Sequence, residues 1–141
     1  MQILKPIPVK NDHLSPSQHS NRLLIIDDAL EMHSMLRTLL TEEGYIVHCV
    51  SNGQAALRYL RSVEELPGLI FLDLMMPIMD GYEFREAQLS DPRLAGTPVV
   101  IITADGHIES KKSKIKAIDS IKKPIDIDIM LQVIARYLNH G

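Results

Sequence analysis

The sequence predicts an α/β domain in which a five-stranded parallel sheet is covered by helices on both faces. Three observations predict it. From residue 22 onward, short apolar runs alternate with segments of helical spacing. Four of the five runs are apolar nearly throughout, the pattern expected of strands buried on both faces. The strict strand–helix alternation is the order that produces a parallel sheet.

Residues 1–21 are rich in Pro, Ser, Asn, Gln and His and carry no periodicity, so they read as a flexible tail ahead of a domain over 22–141. The first strand is Arg22–Ile26. A helix follows with the apolar stripe Met32, Met35, Leu36, Leu39 and Leu40, a core face, and Gly44 is its stop signal. The second strand is Tyr45–Val50. Asn52 can cap the next helix, whose apolar positions are Ala56, Leu57, Leu60 and Val63. Leu69–Leu72 is the third strand, and a third helix follows Gly81. Pro98–Ile102 is the fourth strand, followed by a short lysine-rich helix over Ile108–Ile115. The fifth strand, Ile118–Ile121, is interrupted by Asp119 and Ser120. The last helix begins near Asp126 and carries Ile129, Met130, Val133, Ile134, Tyr137 and Leu138. At this size the flavodoxin-like doubly wound order, 2-1-3-4-5, is the expected topology.

Composition narrows the function classes. The chain has 141 residues, 45% apolar and 23% charged, enough to bury a core without disulfides or a structural metal. A net charge of −3 gives no general attraction to nucleic acid. The single cysteine, Cys49, lies in an apolar run and reads as a small buried hydrophobe. No apolar run reaches the roughly 18 residues of a membrane span. Lys5, Pro6 and Pro8 stand where a signal peptide would carry its apolar stretch. A cytoplasmic protein is the expectation.

In open parallel sheets, ligands bind outside the carboxyl ends of the strands. Here the first strand ends in Asp27-Asp28, the third in Asp73, the fourth in Thr103 and the fifth in Lys122-Lys123. Each has a bland explanation: Asp28 or Thr103 as a helix cap, the lysines as solvated charge. Three acids, a hydroxyl and an amine together on one rim are hard to explain by capping alone. Clustered carboxylates repel one another unless a cation joins them. An oxygen-only ligand set suits a hard ion such as Mg²⁺. A metal, an ammonium and a hydroxyl together can hold phosphoryl oxygens, and phosphoryl transfer needs mainly positioning and charge neutralisation. A carboxylate can itself accept the phosphoryl group, and Asp73 is the acid on a central strand.

Rival chemistries lack their motifs. A flavin-phosphate cradle after the first strand is contradicted by Asp27-Asp28-Ala29, which repels phosphate without a metal. No Gly-x-x-x-x-Gly-Lys-[Ser/Thr] loop occurs. The six histidines, His13, His19, His33, His48, His107 and His140, show no paired zinc spacing.

At these residues the chain resembles the receiver domains of response regulators. Leu69 through Gly81, reading LIFLDLMMPIMDG, is similar to the family's phosphorylation-site signature. Asp27-Asp28, Thr103-Ala104 and Lys123-Pro124 stand where the family's acidic pair, hydroxyl and lysine-proline turn would be, and the resemblance covers 22–139. It implies that Asp73 accepts phosphate from a sensor histidine kinase or a histidine phosphotransfer protein. It implies Mg²⁺ held by Asp28, Asp73 and the backbone carbonyl of Met75, with Asp27 acting through a metal-bound water. Thr103 and Lys123 would hold the phosphoryl oxygens, Lys123 rather than Lys122 because Pro124 follows it.

Two departures stand out. The family usually has Tyr or Phe three residues before the lysine, and this chain has Ser120. The stretch from Thr103 to Lys123 is also short, which abbreviates the fourth helix. The family's aromatic couples the site to an output surface, so the conventional switch is in question here. The chain stops after the last helix, so signalling through an unidentified protein target, not direct nucleic-acid binding, is the expectation. A constitutive interaction module is the alternative class, opposed by the complete acid–Thr–Lys set. A phosphohydrolase would carry a second acid two residues after the nucleophile, where Met75 stands.

Overall fold

The computed structural model describes residues 20–104 and 106–138. Its elements run β1 (Arg22–Ile26), α1 (Leu30–Glu42), β2 (Ile46–Val50), α2 (Gly53–Ser62) and β3 (Leu69–Asp73). They continue with α3 (Gly81–Leu89), β4 (Val99–Thr103), α4 (Ile108–Ile115), β5 (Asp119–Lys122) and α5 (Ile127–Leu138). The five strands form one sheet in the order β2-β1-β3-β4-β5, all neighbours parallel.

Strand alternation splits the core in two. Leu23, Ile25, Phe71, Val100 and Ile102 point to one face, where Leu36 and Leu40 of α1 and Met130, Val133 and Ile134 of α5 cover them. Leu24, Ile26, Ile70, Leu72, Val99 and Ile101 point to the other. Ala56, Leu57 and Leu60 of α2, Phe84 of α3 and Ile115 of α4 cover these. β3 and β4 are buried at every position. Each such Leu, Ile or Phe contributes about 1.5–3 kcal/mol by leaving water. The sheet is therefore a rigid base for whatever its strand ends carry.

Local signals work as expected at several ends. The Asn52 side chain accepts from Ala55 N–H at 2.9 Å and caps α2. Asp80 caps α3 through a reciprocal box with Glu83. Gly44 ends the first helical region with φ +96°, a conformation glycine adopts without penalty.

Other expectations are corrected. β2 lies at an edge of the sheet, so it is partly exposed instead of buried on both faces. Cys49, on that strand, is only half-buried for the same reason. Met35 is exposed, because the buried face of α1 runs through His33, Leu36 and Leu40. Ile129 is likewise exposed on α5, whose buried face runs through Met130, Val133 and Ile134. The fifth strand is Asp119–Lys122, shifted one residue onward, and Ile118 is exposed before it. The expected tail lies outside the described residues as far as residue 19. Ser20 and Asn21 belong to the packed domain: Ser20 is buried, and the Asn21 amide donates to the Gly44 carbonyl at 2.9 Å.

Candidate functional site

The parallel order brings the carboxyl ends of β1, β3, β4 and β5 to one rim. β3 ends on Asp73 itself and β4 on Thr103. Asp73 pairs with Ile102, so Thr103 sits one position further on the neighbouring strand. The Lys123 N–H donates to the Thr103 carbonyl at 2.9 Å, which brings the lysine to the same end. The Lys123–Pro124 peptide bond is cis.

Asp27 is fully buried and Asp73 nearly so, while Asp28 is exposed. One carboxylate oxygen from each of these three lies within 4.8 Å of the others. Lys123 Nζ stands 3.1 Å from Asp27 Oδ2 and 3.4 Å from Asp73 Oδ2. Asp27 Oδ1 accepts from Ala29 N–H at 2.9 Å, and Asp73 Oδ1 from Met75 N–H at 3.2 Å. Asp27 Oδ2 is buried and makes no hydrogen bond of good geometry, so the nearby ammonium meets it as an ion pair only.

Burial pushes the Asp73 carboxyl above its ordinary pKa. The Met75 N–H and Lys123 oppose that rise, and the Asp27 charge adds to it. Burial by itself lowers the Lys123 ammonium, but the Asp27 and Asp73 carboxylates outweigh it and hold the group above its ordinary value. Three carboxylates face one ammonium, which leaves two formal negative charges uncompensated. A divalent cation matches that deficit, and the donors are all hard oxygens. The residues present therefore fit Mg²⁺.

The bland readings hold for Lys122, a solvated charge, and fail for Asp28, Thr103 and Lys123. The residue at the start of α1 is Ala29, and no side chain caps that helix, so Asp28 is not a cap. α4 starts from His107, not Thr103. Lys122 is exposed on the side of β5 opposite Ile121, whereas Lys123 reaches both acids. Met75 follows Asp73 by two residues on an exposed loop. In that loop Ile78 adopts φ +71°, rare for a β-branched residue. α3 approaches the loop so closely that a Cβ at Gly81 would lie 2.6 Å from the Asp73 carbonyl oxygen.

Two buried polar residues outside the expected site were not singled out from the sequence. His33 is buried, and its Nε2 lies 2.6 Å from the Asp27 carbonyl oxygen. Its spacing of three from Leu36 and seven from Leu40 was the available signal. Arg85 is buried on α3 and donates to the Ile115 and Lys116 carbonyls at the end of α4. A lone arginine in a helical pattern gives no comparable signal.

Known proteins resemble this chain in sequence and fold. The family model for the response regulator receiver domain matches residues 23–135. The chain is 30% identical over 122 residues to sporulation initiation phosphotransferase F of Bacillus subtilis, covering 84% of this chain and 94% of that protein. It is 32% identical over 121 residues to regulatory protein AtoC of Escherichia coli, covering 84% of this chain but only 25% of AtoC. It spans 24% of response regulator PleD of Caulobacter vibrioides, at 36% identity. Among solved structures, the signal receiver domain of a histidine kinase from Syntrophus aciditrophicus superposes with TM-score 0.74 at 31% identity, covering 84% of this chain and 89% of that one. Chemotaxis response regulator CheY4 of Vibrio cholerae gives 0.75 at 25% identity, covering 85% and 99%. A match that runs from β1 into α5, over the same strand order and through the acidic rim, leaves no other assignment: the chain belongs to the response regulator receiver domain family.

Proposed function

We propose that this chain accepts a phosphoryl group on Asp73 from the phosphohistidine of a sensor kinase or phosphotransfer protein, with Mg²⁺, and signals by binding a protein target. The observation that carries this reading is the buried Asp73 carboxylate, 3.4 Å from Lys123 and grouped with two further acids at the strand ends. Phosphoacceptor chemistry is general for the family.

Asp73 is the nucleophile. One of its carboxylate oxygens attacks phosphorus, the P–N bond of the donor breaks, and the imidazole leaves with the electron pair and takes up a proton. Asp27, Asp28 and Asp73, with the Met75 carbonyl, would hold the metal. Mg²⁺ bound there supplies positive charge against the transferring phosphoryl oxygens. Lys123 already stands beside both buried acids, so it needs little movement to meet a phosphoryl oxygen on Asp73. Thr103, buried at the next strand end, would bond another. The Met75 N–H holds the remaining Asp73 oxygen and orients the carboxylate. The buried floor beneath excludes water from one side of the acyl phosphate.

Incubation with Mg²⁺ and acetyl phosphate, read by intact mass, tests the proposal. The expected result is a single phosphoryl adduct, lost when Mg²⁺ is chelated first. No adduct under any condition would leave the fold as a binding module without phosphorylation.

A further inference from the structure

We propose that His33 is a positioning residue for the acidic pocket: it holds the Asp27 carbonyl, and through it the aspartate pair, in the geometry a divalent cation requires. The inference rests on the metal site proposed above and goes beyond it, since His33 itself touches neither metal nor phosphoryl group.

His33 lies one turn into α1, 8% exposed, with Nε2 2.6 Å from the Asp27 carbonyl oxygen. A carbonyl only accepts, so Nε2 carries the proton and donates it. The β1–β3 pairing ends at Ile26 and Leu72, so Asp27 lies beyond the ladder that orients the strand. The polar atoms of Asp27 are nevertheless each engaged. Its N–H donates to the Val50 carbonyl at 3.0 Å, Oδ1 accepts from Ala29 N–H, and Oδ2 faces Lys123. The carbonyl is held by a side chain, that of His33. Asp28 is the next residue, so the plane of the Asp27–Asp28 peptide follows that bond. No side chain caps α1, and the His33 bond, beside the one from Ala29 N–H to Asp27 Oδ1, ties the start of the helix back to the strand end. Loss of the donor leaves the buried Asp27 carbonyl without that partner, so the Asp27–Asp28 peptide and the start of the loop that carries Asp28 are held less firmly.

The test compares His33→Gln with His33→Met. Both replacements are unbranched, similar in length and comparable as helix formers, but only glutamine has an N–H to donate. Mg²⁺ binding is titrated by calorimetry on the whole chain, and melting temperature is measured in chelator. We expect His33→Met to bind Mg²⁺ about tenfold more weakly, the usual scale for groups that orient metal ligands. His33→Gln should stay close to the unmodified protein, with both variants melting alike in chelator. Wild-type affinity in folded His33→Met overturns the inference, as does equal weakening in both variants, which would assign the effect to ring shape. If His33→Met does not fold, His33→Asn replaces it, because its shorter amide cannot reach the carbonyl and should bind weakly. An unmodified chain that binds no Mg²⁺ would overturn the metal site, and this inference with it.

Discussion

Asp73 sits in an environment that disfavours its charge. Burial and the neighbouring Asp27 raise its pKa against the opposing Met75 N–H and Lys123. A carboxyl whose folded pKa is raised weakens the fold as pH climbs. Below its ordinary value near 3.8 both folded and unfolded chains hold the proton and nothing is lost. Above that value the unfolded chain releases its proton first, and the penalty is complete once pH exceeds the raised folded pKa. Asp73→Asn should therefore melt higher than the unmodified protein at neutral pH without metal, and the gap should close in acid. Scanning calorimetry across pH checks this, and an unchanged gap at low pH would contradict it. The lysines separate on geometry. Lys123→Ala removes an ammonium within 3.4 Å of both buried acids, whereas Lys122→Ala removes an exposed one. Only Lys123→Ala should impair the phosphorylation-linked change, read by hydrogen exchange. Equal impairment would show that the strand alternation separating them does not matter.

At the scale of elements, α4 is the weakest member. It has eight residues and buries only Ile115, and both His107 before it and Lys116 after it take left-handed φ. Its far end is clamped by Arg85 of α3, which donates to the Ile115 and Lys116 carbonyls at 2.9 Å while Gln88 holds a third arm at 2.8 Å. A cation at a helix C-terminus is favourable, so the clamp stabilises the helix as well as fixing it. Ser120 pairs with Ile101 and so shares a face of the sheet with Thr103. A hydroxymethyl group there cannot fill an aromatic ring's volume or carry its motion. Phosphorylation should alter the loops after β3 and β4 while coupling weakly to α4, β5 and α5. Hydrogen exchange with and without beryllofluoride reads this. Protection confined to α4–β5–α5, with the Asp73 loop unchanged, would contradict it. Strands and helices were legible in the sequence because their periods of two and 3.6 reflect what each face buries. The clamp was not, because an Arg85 that pairs with carbonyls thirty residues away leaves no local pattern. The α1 stripe was misread at Met35 because an unbranched apolar residue was favoured over His33, which is polar yet buried through one bond.

For the whole molecule, function depends on a rigid sheet that presents repelling charges at one edge. Asp27, Asp28, Asp73, Thr103 and Lys123 were legible together because strand ends in a parallel sheet converge. Their distances and the two-charge deficit required the fold. That deficit makes stability depend on metal. Mg²⁺ at a hundred times its Kd should stabilise the chain by about 2.7 kcal/mol, which for a domain of this size is roughly 10 °C in melting temperature. Asp28→Asn should lose most of that shift, since it removes one of the three carboxylates. An equal shift in variant and unmodified protein would exclude Asp28 as a ligand. Phosphorylation of Asp73 is the central claim, and chemical trapping tests it most directly. An aspartyl phosphate is an acyl phosphate, so borohydride reduces it to homoserine. After treatment with Mg²⁺ and acetyl phosphate, peptide mass spectrometry should find homoserine at position 73 and unmodified aspartate at 27, 28 and 80. Homoserine at another position, or none in a chain that gained a phosphoryl group, would contradict the account.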